Sequence, residues 1–133
     1  LSPYYRGSGT NFFPFVNGEI SCVGATVHEV TSIIDGGEIY HQVRPEIGKS
    51  DTIHDVGNKT IIVGTAAMIR TLNEYEDGSL RGFSQTRVKG SLYRRKDFSA
   101  TAVKKAMNNV NDGLIHDYLR NKTVYDNKYP LIG

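Results

Sequence analysis

The sequence predicts an α+β fold, an antiparallel β-meander that opens on an N-terminal hairpin and closes on two C-terminal α-helices. Three observations predict it. Turn residues cut the first two thirds of the chain into short β-branched and aromatic runs, helical spacing of apolar residues begins only after Asp97, and the loops between runs are short. The third observation favours antiparallel pairing, because parallel neighbours need long crossovers. At 133 residues, with 38% apolar and 23% charged, the chain is one domain, long enough to bury a core without disulfide or metal staples. That domain is expected to span 1–133, with sheet over about 12–94 and helices over about 99–120.

The elements follow in order. Asn17-Gly18 lies between Phe12–Val16 and Glu19–Val23, the pattern of a tight hairpin whose two turn residues take positive φ. Asp35-Gly36-Gly37 separates Thr26–Ile34 from Glu38–Arg44, two runs rich in strand-forming residues, and Pro45 ends the ladder because it has no N–H. The run Lys59–Leu72 reads as a further strand, and Asp77-Gly78 turns it toward Leu80–Tyr93. Asp97-Phe98-Ser99 then offers capping oxygens to a helix in which Val103, Met107, Val110 and Leu114 fall on one stripe. Gly113 breaks that helix, and a second short one is expected over Leu114–Arg120.

Charge is unevenly placed although the net is only +2. Residues 1–58 hold three basic against seven acidic side chains, whereas residues 80–106 hold eight basic side chains against Asp97 alone. Such a run is either a solvated face or the footprint of a polyanion. Strand alternation sorts Tyr40, Gln42 and Arg44 to one face and Gln85, Arg87 and Lys89 to one face of the later strand. If those faces coincide, cations for phosphate, a ring for stacking and amides for base edges converge, which is how single-stranded RNA is gripped.

The order of elements, together with RVKGSLYRRKDFSATAVKKAMNNVNDGLIHDYLRN, resembles the coat protein of the small single-stranded RNA bacteriophages, the levivirus type. The resemblance implies a structural protein rather than an enzyme. It implies an intertwined homodimer in which Val103, Met107, Val110 and Leu114 cover the partner's sheet, and an icosahedral shell assembled from such dimers. Tyr40, Gln42, Arg44, Lys59, Gln85, Arg87 and Lys89 would then hold a genomic RNA hairpin on the inner face for packaging and translational repression. A maturation protein would be a further partner. The location implied is the virion, built in a bacterial host's cytoplasm, with no membrane partner. Two rivals stay open: a small monomeric β-domain that binds single-stranded nucleic acid, and a small ribonuclease.

No cofactor or metal is called for. His28, His41, His54 and His116 lack the spacing of a metal or acid–base set, and Gly7-Ser8-Gly9 is too short for a phosphate-binding loop. Cys22 alone cannot form an internal disulfide, and in a predicted strand it reads as a small buried hydrophobe. No apolar run approaches the ~18 residues that a bilayer span requires.

Overall fold

The computed structural model describes residues 1–85 and 90–133. Among them the strands form two separate two-stranded sheets, and helices hold more residues than strands. The meander expected from the turn pattern does not form.

The first departure lies at the N-terminus. Phe13–Asn17 is a short helix, α1, with Pro14 in its first two positions, where a fixed φ suits helix and the missing N–H costs nothing. Gly18 has φ 76°, the left-handed conformation foreseen for a hairpin, but it caps α1 and donates its N–H to the Pro14 carbonyl. Before it, strand β1 (Tyr5–Gly7) pairs in parallel with β4 (Ser91–Tyr93), so the expectation of purely antiparallel pairing is also corrected. Gly7 permits this approach: at φ +87° an added Cβ would lie 2.2 Å from the Tyr93 carbonyl oxygen.

Strands β2 (Ala25–His28) and β3 (Ile39–Val43) do pair antiparallel, with Thr26 opposite Gln42 and Val27 opposite His41. A backbone bridge from Ile39 to Phe83, 2.8 Å in both directions, attaches the segment after residue 80 to β3.

The largest correction is the run read as a central strand. Ile53–Glu76 is one helix, α2, of 24 residues. Its start is fixed by a capping box in which Thr52 Oγ1 accepts from Asp55 N and Asp55 Oδ2 accepts from Thr52 N. Val56, Thr60, Ala67 and Thr71 form its buried stripe against β2 and β3, at spacings that belong to a helix and not to a strand. Thr60, Thr65 and Thr71 donate their hydroxyls to the carbonyls four residues back, so the β-branched content that suggested a strand is accommodated.

At the C-terminal end, Ser99 accepts from Ala102 N and opens α3 (Ala100–Asn111). Gly113, with φ 96°, separates it from α4 (Leu114–Arg120), and α5 (Lys122–Lys128) follows. Helix α3 packs on α1 of its own chain through Ala106, which is fully buried, and Asn109 Nδ2 donates to the Phe15 and Val16 carbonyls. The intertwined dimer is therefore corrected too, because the helices already have an intramolecular surface.

The core gathers Phe13, Phe15, Val16, Ile20, Cys22, Val56, Ile115 and Tyr118. Tyr93 stacks on Phe13 at 3.9 Å between ring centroids and on Tyr5 at 5.5 Å, which ties β1, β4 and α1 together. No helix among the described residues is long and apolar enough to cross a membrane.

Candidate functional site

A mostly polar cleft of about 290 Å³ lies where the first residues, β1, β2 and the 29–38 turn meet. It is lined by Leu1, Ser2, Tyr5, Gly7, Thr10, Asn11, Gly24, Ala25, Thr26, His28 and Asp35. The sheet register builds it. Antiparallel pairing of β2 with β3 sends the chain out through the turn and back, with Glu29 N donating to the Glu38 carbonyl at 2.9 Å. Asp35 sits on the returning arm of that turn.

Asp35 is the one non-glycine residue with positive φ, 49°, among the described residues. A left-handed aspartate costs conformational energy and persists where its surroundings over-determine it. Three contacts do so here. Gly7 N donates to Asp35 Oδ2 at 2.6 Å, Ser2 Oγ lies 2.8 Å from the Asp35 carbonyl oxygen, and His28 Nε2 lies 3.5 Å from Asp35 Oδ1. Both side chains of the His28–Asp35 pair remain partly open to solvent.

The state of His28 follows from its other nitrogen. Nδ1 lies 2.8 Å from the Glu29 carbonyl oxygen, which can only accept, so Nδ1 carries a proton. In neutral imidazole Nε2 is then a bare lone pair facing a carboxylate oxygen. Two proton acceptors thus face each other across 3.5 Å at the cleft, the residue types that acid–base catalysis uses.

Around the pair, Ser2 N donates to Thr26 Oγ1 at 3.1 Å, Gly24 N donates to Asn11 Oδ1 at 3.0 Å, and Gln42 Nε2 donates to Thr26 Oγ1 at 3.2 Å and to the Ser2 carbonyl. These bonds fix the floor of the cleft. Among the described residues no cluster of His, Cys, Asp and Glu could hold a metal ion.

Of the residues singled out for RNA binding and dimerisation, Gln42 and Gln85 meet at Ser2, and the other described ones do not join them there. Gln42 is buried beneath the cleft. Arg44 donates Nε to the Ser21 carbonyl at 2.6 Å and Nη2 to the Tyr129 carbonyl, and lies 3.9 Å from Asp126, so its guanidinium is engaged inside the molecule. Tyr40 is half-buried on β3, and Lys59, on α2, pairs with Asp51 at 2.7 Å. Gln85 reaches the 29–38 turn, whereas Arg87 and Lys89 lie outside the described residues. Val110 and Leu114 pack against the core, Val103 is half-buried on α3, and Met107 is exposed. Sequence reasoning missed Asp35 and His28, reading one as a turn residue and the other as an isolated histidine. The available signal was their position at the two ends of one turn.

Comparison with known proteins gives a consistent answer. A family model described as formyl transferase matches residues 1–72. A methionyl-tRNA formyltransferase of Streptococcus uberis is 28% identical over 92 residues, 69% of this chain and 29% of that protein. One of Lactobacillus acidophilus is 31% identical over 81 residues, 61% of this chain and 26% of the relative. Among solved structures, the formyltransferase PseJ of Anoxybacillus kamchatkensis superposes with a TM-score of 0.64 at 26% identity, over 73% of this chain and 50% of that one. It was solved in complex with UDP-4,6-dideoxy-4-formamido-L-AltNAc and tetrahydrofolate. The chain thus spans under a third of the length of the curated relatives it matches.

These likenesses overturn the coat-protein resemblance and what came with it. The solved neighbours are Rossmann-like transferases rather than phage coat subunits, so the shell, the genomic hairpin, the maturation protein and the virion location are withdrawn. The relatives are enzymes, which corrects the non-enzymatic reading, and neither the nucleic-acid-binding β-domain nor the ribonuclease fits them.

Proposed function

This chain belongs to the formyl transferase family, and on that premise we propose that the His28–Asp35 cleft serves transfer of a formyl group from a tetrahydrofolate donor to a primary amine. The observation that carries the reading is the Asp35 carboxylate, held in a left-handed turn opposite His28 within the matched residues. The amine is proposed to belong to a nucleotide-linked sugar. That choice is supported by PseJ, half of whose chain this one covers, against under a third of the methionyl-tRNA enzymes.

The chemistry requires a proton to leave the amine as its nitrogen attacks the formyl carbon. A C–N bond forms to the acceptor, the C–N bond to the donor breaks, and the electron pair returns to the donor nitrogen. His28 Nε2 and the Asp35 carboxylate, which face each other, both flank the amine, and one of them receives its proton and passes it toward the departing nitrogen. A tetrahydrofolate donor supplies the activated formyl group and a nitrogen that ends protonated. Thr10 and Asn11 on the cleft lining would offer a hydroxyl and a carboxamide N–H to such a donor, Asn11 Oδ1 being engaged by Gly24 N.

The test uses the full-length protein with a formyl-tetrahydrofolate and a nucleotide-linked amino sugar, following both products by mass spectrometry. Formamide is expected in equal amount to the tetrahydrofolate released. Formamide on methionyl-tRNA and none on the sugar would overturn the acceptor, and none on either would overturn the reaction.

A further inference from the structure

We propose that Gln85, which lies beyond the residues matched by the family model, is a positioning residue that clamps the Asp35 turn into its working geometry. The inference rests on the formyl-transfer reading for its kinetic consequence, but not for its structural one.

Sheet register brings Gln85 there. Ile39 and Phe83 exchange both backbone hydrogen bonds at 2.8 Å in an antiparallel bridge. Two residues on from Phe83 is Gln85, and two residues back from Ile39 is Gly37, so the antiparallel arrangement sets the Gln85 carboxamide against the returning arm of the turn. Its Nε2 donates to the Gly37 carbonyl, and its Oε1 accepts from Ser2 Oγ at 2.7 Å. The same Ser2 hydroxyl lies 2.8 Å from the Asp35 carbonyl oxygen, so its single proton is shared between the turn and Gln85.

One carboxamide therefore ties both sides of Asp35. Through Ser2 it reaches the backbone of Asp35 itself, and through Gly37 it fixes the chain two residues later. Gly37 has no slack on its other side, since an added Cβ would lie 2.1 Å from the Glu29 carbonyl oxygen, the same oxygen that holds His28 Nδ1. A shift of Gly37 away from Gln85 is thus transmitted to both members of the pair. Gln85 contacts neither carboxylate nor imidazole, and its role is to hold the 3.5 Å approach of Asp35 Oδ1 to His28 Nε2.

The experiment compares the full-length protein with Gln85→Ala and Gln85→Asn. The latter keeps the amide but is one methylene too short to span Ser2 and Gly37. Two readouts are taken on each folded variant. The first is steady-state formyl transfer, where kcat is expected to fall about ten- to a hundredfold with KM for the amine within about twofold, because misplacing a proton acceptor slows the chemical step and not binding. The second is the NMR chemical shift of the His28 ring at one fixed pH, independent of turnover, which is expected to move toward that of Asp35→Asn. An unmoved His28 resonance in the variants overturns the clamp. A moved resonance with kcat unchanged overturns the positioning role, and a parent protein inactive on every amine, with the resonance still moving, counts against the formyl-transfer reading while the clamp stands. Should Gln85→Ala fail to fold, Gln85→Asn carries both readouts.

Discussion

Replacing Asp35 by Asn separates the structural from the chemical work of the left-handed turn. The substitution keeps shape and a carbonyl oxygen, so Gly7 N retains an acceptor at the position it now reaches at 2.6 Å. What is lost is charge. A hydrogen bond to a charged group contributes about 1.5–3 kcal/mol and a neutral one about 0.5–1.5, so the stability loss should be about 1 kcal/mol. The His28 contact adds little to that loss, since the pair is 3.5 Å apart and partly open to solvent. Asn also tolerates positive φ, so the turn itself should persist. The chemical loss is larger. Removing a positioned acid–base group costs about 10²–10⁴ in rate, equivalent to about 2.7–5.4 kcal/mol of barrier. Chemical denaturation and steady-state formyl transfer, measured on the same preparation, should therefore give a small stability change beside a kcat at least a hundredfold lower. A kcat within threefold of the parent would refute the assignment of Asp35, and a stability loss that alone accounts for the lost activity would refute the separation.

Three further outcomes follow from the geometry. Thr52→Ala removes the side chain at the start of α2 that accepts from Asp55 N, and thermal melting should show a loss of about 1 kcal/mol that Thr52→Ser largely restores. Cys22 is fully buried, and burial pushes its thiol up to about 12, so a thiol reagent at pH 8 should modify it only as fast as the protein unfolds; rapid native-state labelling would contradict the packing. Asp51 is held below the ordinary carboxylate range by Lys59, Asp55 by Thr52, and Glu74 by Arg70 and then His41. Groups whose folded values are depressed stabilise the fold above their unfolded values and lose that contribution as pH falls through the folded ones, so stability should decline on the acid side, below about pH 4. Lys59→Met should flatten the decline, as read from denaturation midpoints against pH.

What could be read from the sequence was chemical and local. Ser99 as a helix cap, Gly113 as a helix break and positive φ at Gly18 are each dictated by a residue's own stereochemistry. Positive φ does not say which element it ends, however, and Gly18 caps a helix because Pro14 starts one four residues earlier. The same limit applied to α2, whose Ile and Thr content favours strands while its buried spacing of Val56, Thr60, Ala67 and Thr71 is helical; tertiary packing on β2 and β3 decided between them. The parallel β1–β4 pair joins residues more than eighty positions apart, a contact no local signal announces. The site was hidden for the same reason. Ser2, Gly7, His28 and Asp35 are unremarkable apart, and line one cleft only when the two small sheets bring them together. A similar order of elements was thus compatible with a coat subunit until the fold showed which surfaces the helices cover.

The most direct test of the whole account is a crystal structure of the full-length protein with tetrahydrofolate and a nucleotide-linked amino sugar. The amine nitrogen is predicted to lie within hydrogen-bond reach, about 2.6–3.2 Å, of His28 Nε2 or Asp35 Oδ1, directly or through one water. An amine seated elsewhere, with the His28–Asp35 cleft facing neither substrate, would contradict it.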